Sequence, residues 1–117
     1  MNIDRVLEYH EEICNKARDL MRDKSHDYAG TKDAFGNFRL CERLDVCDTA
    51  TGIMVRLSDK FSRLSQLHHN QPKVKDEAVE DTVEDLINYA IIYLLVRQEA
   101  KPERVPNALR ELEDDVP

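Results

Sequence analysis

Apolar residues recur along this chain with the period of a helix in three separate stretches. In the first, Ile3, Val6, Leu7, Ile13, Cys14, Ala17, Leu20 and Met21 follow the 3.6-residue repeat and predict a helix over 1–22. Asn2 suits its N-cap, Asp4 its first turn, and Gly30 a stop beyond it. The second stretch lies beyond Gly52. There Ile53, Leu57, Phe61, Leu64 and Leu67 predict a helix over 53–69, with the polar stripe Arg56, Asp59, Lys60 and Arg63 immediately beside the apolar one. His68 to Pro72 forms a short break, which predicts an antiparallel neighbour over 73–99. That third helix starts acidic, with Glu77, Glu80, Asp81, Glu84 and Asp85. It then turns apolar from Leu86 to Val96, interrupted by Asn88 and the hydroxyls of Tyr89 and Tyr93.

Between the first two helices the periodicity breaks. Phe35-Gly36-Asn37-Phe38 predicts a loop held by its aromatics, which either anchor it in the core or fold it over a site. Cys41 to Thr51 reads as a helical turn or a separate short helix, and Gly52 as a close helix contact or a break. Beyond Lys101-Pro102, the tail 103–117 holds a short amphipathic piece with Leu109 and Leu112. The expected fold is all-α: one domain over 1–117, built as an antiparallel helical bundle of three main helices plus a short C-terminal helix. Three helices cover the all-round apolar segment Leu86–Val96 poorly, so a homo-oligomer is expected, with that segment at or near the interface.

Charge narrows the functions available. The chain has 117 residues with 17 Lys and Arg against 24 Asp and Glu, a net charge of −7, which argues against a broad nucleic-acid surface. Its longest apolar run is too short to span a membrane, and its start lacks the pattern of a signal peptide, so a cytoplasmic location is expected. Cys14, Cys41 and Cys47 include no CxxC pair and read as small buried hydrophobes. A zinc site from Cys41, Cys47, His68 and His69 would match no common ligand spacing.

The candidate chemistry lies in the facing charged stripes. Glu77, Asp81 and Asp85 are spaced i, i+4, i+8 and share one helical face, with Asn88 three residues on. Such like charges repel by a few tenths of a kcal/mol per pair, a cost that a divalent cation removes. Facing Lys60 and Arg63, these acids form either a salt-bridge network or a site. As a site, Glu77, Asp81 and Asp85 would hold Mg²⁺, a hard cation that takes oxygen ligands, with Asp59 as a further acid. Lys24, Arg56, Lys60 and Arg63 would take the phosphates of a ligand. A spare carboxylate would activate water against a phosphoanhydride. No P-loop, GxGxxG turn or Ser-His-Asp spacing is present.

Four motifs together carry a family resemblance: KxxDY at Lys24 to Tyr28, FGNF at Phe35 to Phe38, RLSDKFSRL at Arg56 to Leu64, and EAVEDTVEDLINYAI at Glu77 to Ile91. Over about Lys24 to Val96 the chain resembles the phage and bacterial nucleotide modification associated domain, which is similar to the MazG-like nucleoside triphosphate pyrophosphohydrolases. The resemblance implies an all-α bundle assembling as a dimer or tetramer, a phage or bacterial origin, and Mg²⁺-dependent hydrolysis of a (deoxy)nucleoside triphosphate to monophosphate and pyrophosphate. It assigns ligand binding to Lys24, Asp27, Tyr28, Asn37, Arg56, Lys60, Arg63 and Asn88, catalysis to Asp59, Glu80 and Asp81, and metal binding to Glu77, Asp81 and Asp85. The chain departs from the MazG-type pattern in that the helix before the acidic one has no EExxE and offers Asp59-Lys60 instead. Two alternatives therefore stand beside the enzyme: a protein that binds a nucleotide without cleaving it, and a helical assembly module whose charges only pair with one another.

Overall fold

The computed structural model describes residues 1–27, 33–70 and 76–101, the side chains of 25–27 excepted. In chain order these residues form α1 (Ile3–Asp27), a single 3₁₀ turn (Gly36–Phe38), α2 (Leu40–Arg43), α3 (Thr49–His69) and α4 (Asp76–Glu99), with no strand among them. The chain is all-α. Both the expected helix start at 73 and the C-terminal piece over 103–117 lie outside the described residues.

Helix ends follow the local chemistry. The Asn2 side chain accepts a hydrogen bond from the Arg5 amide at 3.0 Å and caps α1 as expected. That helix outruns its expected end at Arg22 because Asp23, Lys24, Ser25, His26 and Asp27 include neither glycine nor proline to stop it. Helix α3 begins at Thr49, four residues before the expected start. Asp48 is its cap, accepting from the Thr51 amide at 2.6 Å, and hydrogen bonds from Thr51 hold the Asp48 carboxyl below its ordinary range. Gly52 therefore lies inside the first turn of α3 and does not interrupt it.

The α3–α4 pair forms the centre of the molecule. Ile53, near the start of α3, clusters with Ile92 and Val96, near the end of α4. Lys60, further along α3, meets Asp85, further back on α4, so the two helices run antiparallel. Phe35 and Phe38 pack against the same cluster, which resolves the FGNF segment as an aromatic anchor. Arg39 fastens this segment at both sides: it pairs with Asp33 and donates to both Glu99 carboxylate oxygens at 2.9 Å.

One core position departs from the sequence expectation. Phe61, placed in the apolar stripe of α3, is exposed, whereas Lys60 is half-buried. At about 100° per residue, Lys60 lies about 20° from the direction of Ile53, and Phe61 about 80° away. The inward stripe is thus Ile53, Leu57, Lys60, Leu64 and Leu67.

Among the described residues, helix α1 reaches the α3–α4 pair through its C-terminal half. Ala17 is buried and Met21 packs against the core, while Ile3, Val6, Leu7 and Ile13 are exposed. On α4, Ile91, Leu94 and Leu95 are exposed although Ile92 and Val96 are buried.

Gly52 makes a close approach that its neighbours depend on. A Cβ added there would lie 2.6 Å from the Cys41 sulfur and 3.8 Å from that of Cys47. In most helices Gly→Ala stabilises by about 1 kcal/mol. Here Gly52→Ala is expected to destabilise by about 1–3 kcal/mol, because overpacking displaces α2 from α3. Urea unfolding followed by circular dichroism measures the sign directly.

Candidate functional site

Three helices bring a polar side chain to the same layer. Helix α1 contributes Lys24, α3 contributes Lys60, and α4 contributes Asp85. The Lys24 ammonium lies 3.1 Å from Asp85 Oδ1, and that of Lys60 lies 2.8 Å from Asp85 Oδ2. Each lysine thus takes one oxygen of the carboxylate. Exposure falls inward across the group: 50% for the Lys24 side chain, 28% for Lys60 and 16% for Asp85. The carboxylate lies deepest, and the two ammonium groups cover it from the solvent side.

This depth follows from register. On α4, Thr82, Asp85, Tyr89, Ile92 and Val96 repeat at intervals of three and four residues, the spacing that faces a neighbouring helix. Asp85 occupies a core position in that repeat, as Lys60 does on α3. Burial alone would raise the Asp85 pKa. The hydrogen bonds from Lys60 and Lys24 outweigh that effect and hold its carboxyl below the ordinary value of 3.8. One turn further on, the Asn88 side chain donates to the Ala17 carbonyl of α1 at 2.9 Å. Its Oδ1 is buried and has no hydrogen-bond partner among the described residues.

A second group borders the first through α3. Arg56, one turn before Lys60, lies over the Phe38 ring at 4.7 Å from its centroid. The other contact of Phe38 is Tyr89, edge-on with ring centroids 5.9 Å apart. Tyr89 is one turn beyond Asp85, so the ionic and aromatic groups adjoin along α4. Phe38 and Tyr89 were absent from the sequence-derived candidates. The aromatic pair in FGNF and the four-residue spacing of Asp85 and Tyr89 were the available signals.

The remaining candidates are dispersed. Asp59, Arg63, Glu77, Glu80 and Asp81 are exposed, and Asn37 is exposed on the 3₁₀ turn. Of the expected pairing between the α4 acids and Lys60 or Arg63, the ion pair formed is that of Lys60 with Asp85. Tyr28 and the side chain of Asp27 lie outside the described residues.

The donor set for a cation can be tested directly. Glu77, Asp81 and Asp85 stand on successive turns, about 6 Å apart along the axis. Asp85 turns inward onto its lysines, whereas Glu77 and Asp81 face solvent. Among the described residues no three His, Cys, Asp or Glu side chains come together, so Glu77, Asp81 and Asp85 do not form a three-carboxylate cage; Mg²⁺ bound through one or two carboxylates would take its remaining oxygens from water and a ligand's phosphates. The zinc combination fails on distance as well. The Cys41 and Cys47 sulfurs face Gly52 at the start of α3, and His68 and His69 end that helix, about 25 Å away.

Removing the shared carboxylate leaves two ammonium groups facing each other, one of them half-buried. Asp85→Ala is expected to destabilise the protein by about 1–2 kcal/mol at pH 7, above an exposed pair and below a fully buried one. Because the folded pKa is depressed, the stabilisation is complete above 3.8 and disappears as pH falls through the lower folded value. Urea midpoints of wild type and variant should therefore converge in acid. A gap that persists at the lowest pH at which both fold would assign the loss to packing.

Comparison with protein-family models, with curated proteins and with solved structures finds no match to this chain.

Proposed function

We propose that this chain binds a (deoxy)nucleoside triphosphate where α1, α3 and α4 meet, and hydrolyses it to monophosphate and pyrophosphate with Mg²⁺. The observation that carries the binding reading is the convergence of Lys24 and Lys60 on one carboxylate, next to Arg56 on the Phe38 ring. Two ammonium groups converge on one carboxylate there, in a chain whose net charge is −7. Each ammonium has three N–H donors, so most remain available to phosphate oxygens. Aromatic faces beside cations suit a base attached to those phosphates. The hydrolytic step and the cation rest on the family resemblance.

A second reading, binding without cleavage, is favoured by a specific observation. Both oxygens of Asp85 are already engaged by lysines, and the other acids of α4 named for the metal face solvent. The two readings separate when pure protein is incubated with a panel of nucleoside triphosphates, with and without Mg²⁺. Hydrolysis yields pyrophosphate, whereas a binder raises the melting temperature and returns its ligand intact. Saturation at about 100 times the dissociation constant stabilises by about 2.7 kcal/mol, several degrees in a domain of this size. If no nucleotide moves the melting temperature and none is cleaved, both readings fail.

We further infer that a second copy of the chain covers Ile91, Leu94 and Leu95, giving a dimer or tetramer. These side chains lie on the same helix as Asp85, and leaving them in water forgoes roughly 1.5–3 kcal/mol for each that could be buried. Light scattering should give two or four times the chain mass for wild type and the monomer mass for Leu94→Glu. A monomeric wild type at micromolar concentration contradicts the assembly.

A further inference from the structure

We propose that Asp85 acts as an internal competitor for the phosphate site: its carboxylate holds Lys24 and Lys60 in place of a ligand's phosphate, and polyphosphate binds by taking over those ammonium groups without a metal. This rests on the binding reading above and deepens it by giving the site a built-in counter-ion.

The geometry separates this role from metal ligation. A metal-binding carboxylate presents oxygens to the cation, and cationic side chains beside it oppose occupancy. Asp85 instead offers one oxygen to each of two ammonium groups, at 3.1 and 2.8 Å, and is itself the least exposed of the three. The two nitrogens share one carboxylate, which places them within reach of a single phosphate group or of neighbouring groups in a chain of phosphates. Lys24 is half-exposed, so an anion can approach it without first opening the core. On arrival it finds two cations already positioned on separate helices, and gains their attraction less the screening supplied by Asp85.

Two consequences distinguish the idea. Neutralising Asp85 should strengthen anion binding, where loss of a metal ligand would weaken it. Binding should also clamp α1 to α3, because the ligand bridges Lys24 and Lys60 directly.

Isothermal titration with sodium tripolyphosphate in excess chelator tests this. Wild type is expected to bind without metal, Asp85→Asn to bind about tenfold more tightly, and Lys24→Met and Lys60→Met to lose about tenfold or more. Equal or weaker binding by folded Asp85→Asn overturns the proposal, as does binding by wild type that appears only when Mg²⁺ is restored. Lys24→Met keeps the test decisive should Asp85→Asn fail to fold, since undiminished affinity in that variant is equally fatal. Tripolyphosphate carries no base, so the two readings fail separately. Nucleoside triphosphate bound only with Mg²⁺, beside tripolyphosphate not bound at all, ends the counter-ion role and leaves nucleotide binding standing. Tighter tripolyphosphate binding by Asp85→Asn, with no further affinity from any nucleoside, supports the counter-ion role and ends the nucleotide reading.

Discussion

Lys60 occupies a core register of α3, and a charge at that depth must be answered. Asp85 answers it from α4, and Lys24 closes the group from α1. A charge at a partly buried position costs stability when it has no partner, so each of the two residues is stabilised by the other. Together they fix which turn of α3 faces which turn of α4, because a slip of one turn would part both charges. Lys24 gives α1 a fixed point on the same carboxylate. The Asn88 amide repeats the device one turn on, donating to the Ala17 carbonyl where α1 meets α4. The arrangement of the three long helices therefore depends on polar matches at two successive levels, with Ile53, Ile92 and Val96 supplying the apolar contacts nearby.

The same layer is where structure and chemistry coincide. Here two cations meet one anion, and Arg56 stands one turn away on an aromatic ring. Phe38 ties that layer to the 3₁₀ turn, which Arg39 in turn holds to the end of α4 through Glu99. Phe38 is thus held by the scaffold, as the proposed site would require of a surface that orients its ligand.

Much of this was legible in the residues. Apolar periodicity marked the three long helices, and the short loop between the second and third foretold their antiparallel pairing. Lys24, Lys60 and Asp85 were all named as candidates from type and spacing. Their meeting was not legible, because one helix's pattern shows which residues share a face and not which residues of another helix will lie opposite them. Hydrophobicity alone favours Phe61 as a core residue; the register turns Lys60 inward, where Asp85 neutralises it. In the sequence Gly52 reads as a break, yet Asp48, four residues upstream, carries the capping signal and α3 starts beside it. The i, i+4, i+8 acids looked like a cation site because spacing shows a shared face and says nothing of which member a neighbouring helix will claim.

A crystal structure of the protein grown with a nucleoside triphosphate addresses the central claim most directly. The account predicts phosphate oxygens within hydrogen-bonding distance of both the Lys24 and Lys60 ammonium groups, with the base against Phe38 or Arg56. Phosphates bound elsewhere, with Lys24 and Lys60 still paired only to Asp85, would contradict it.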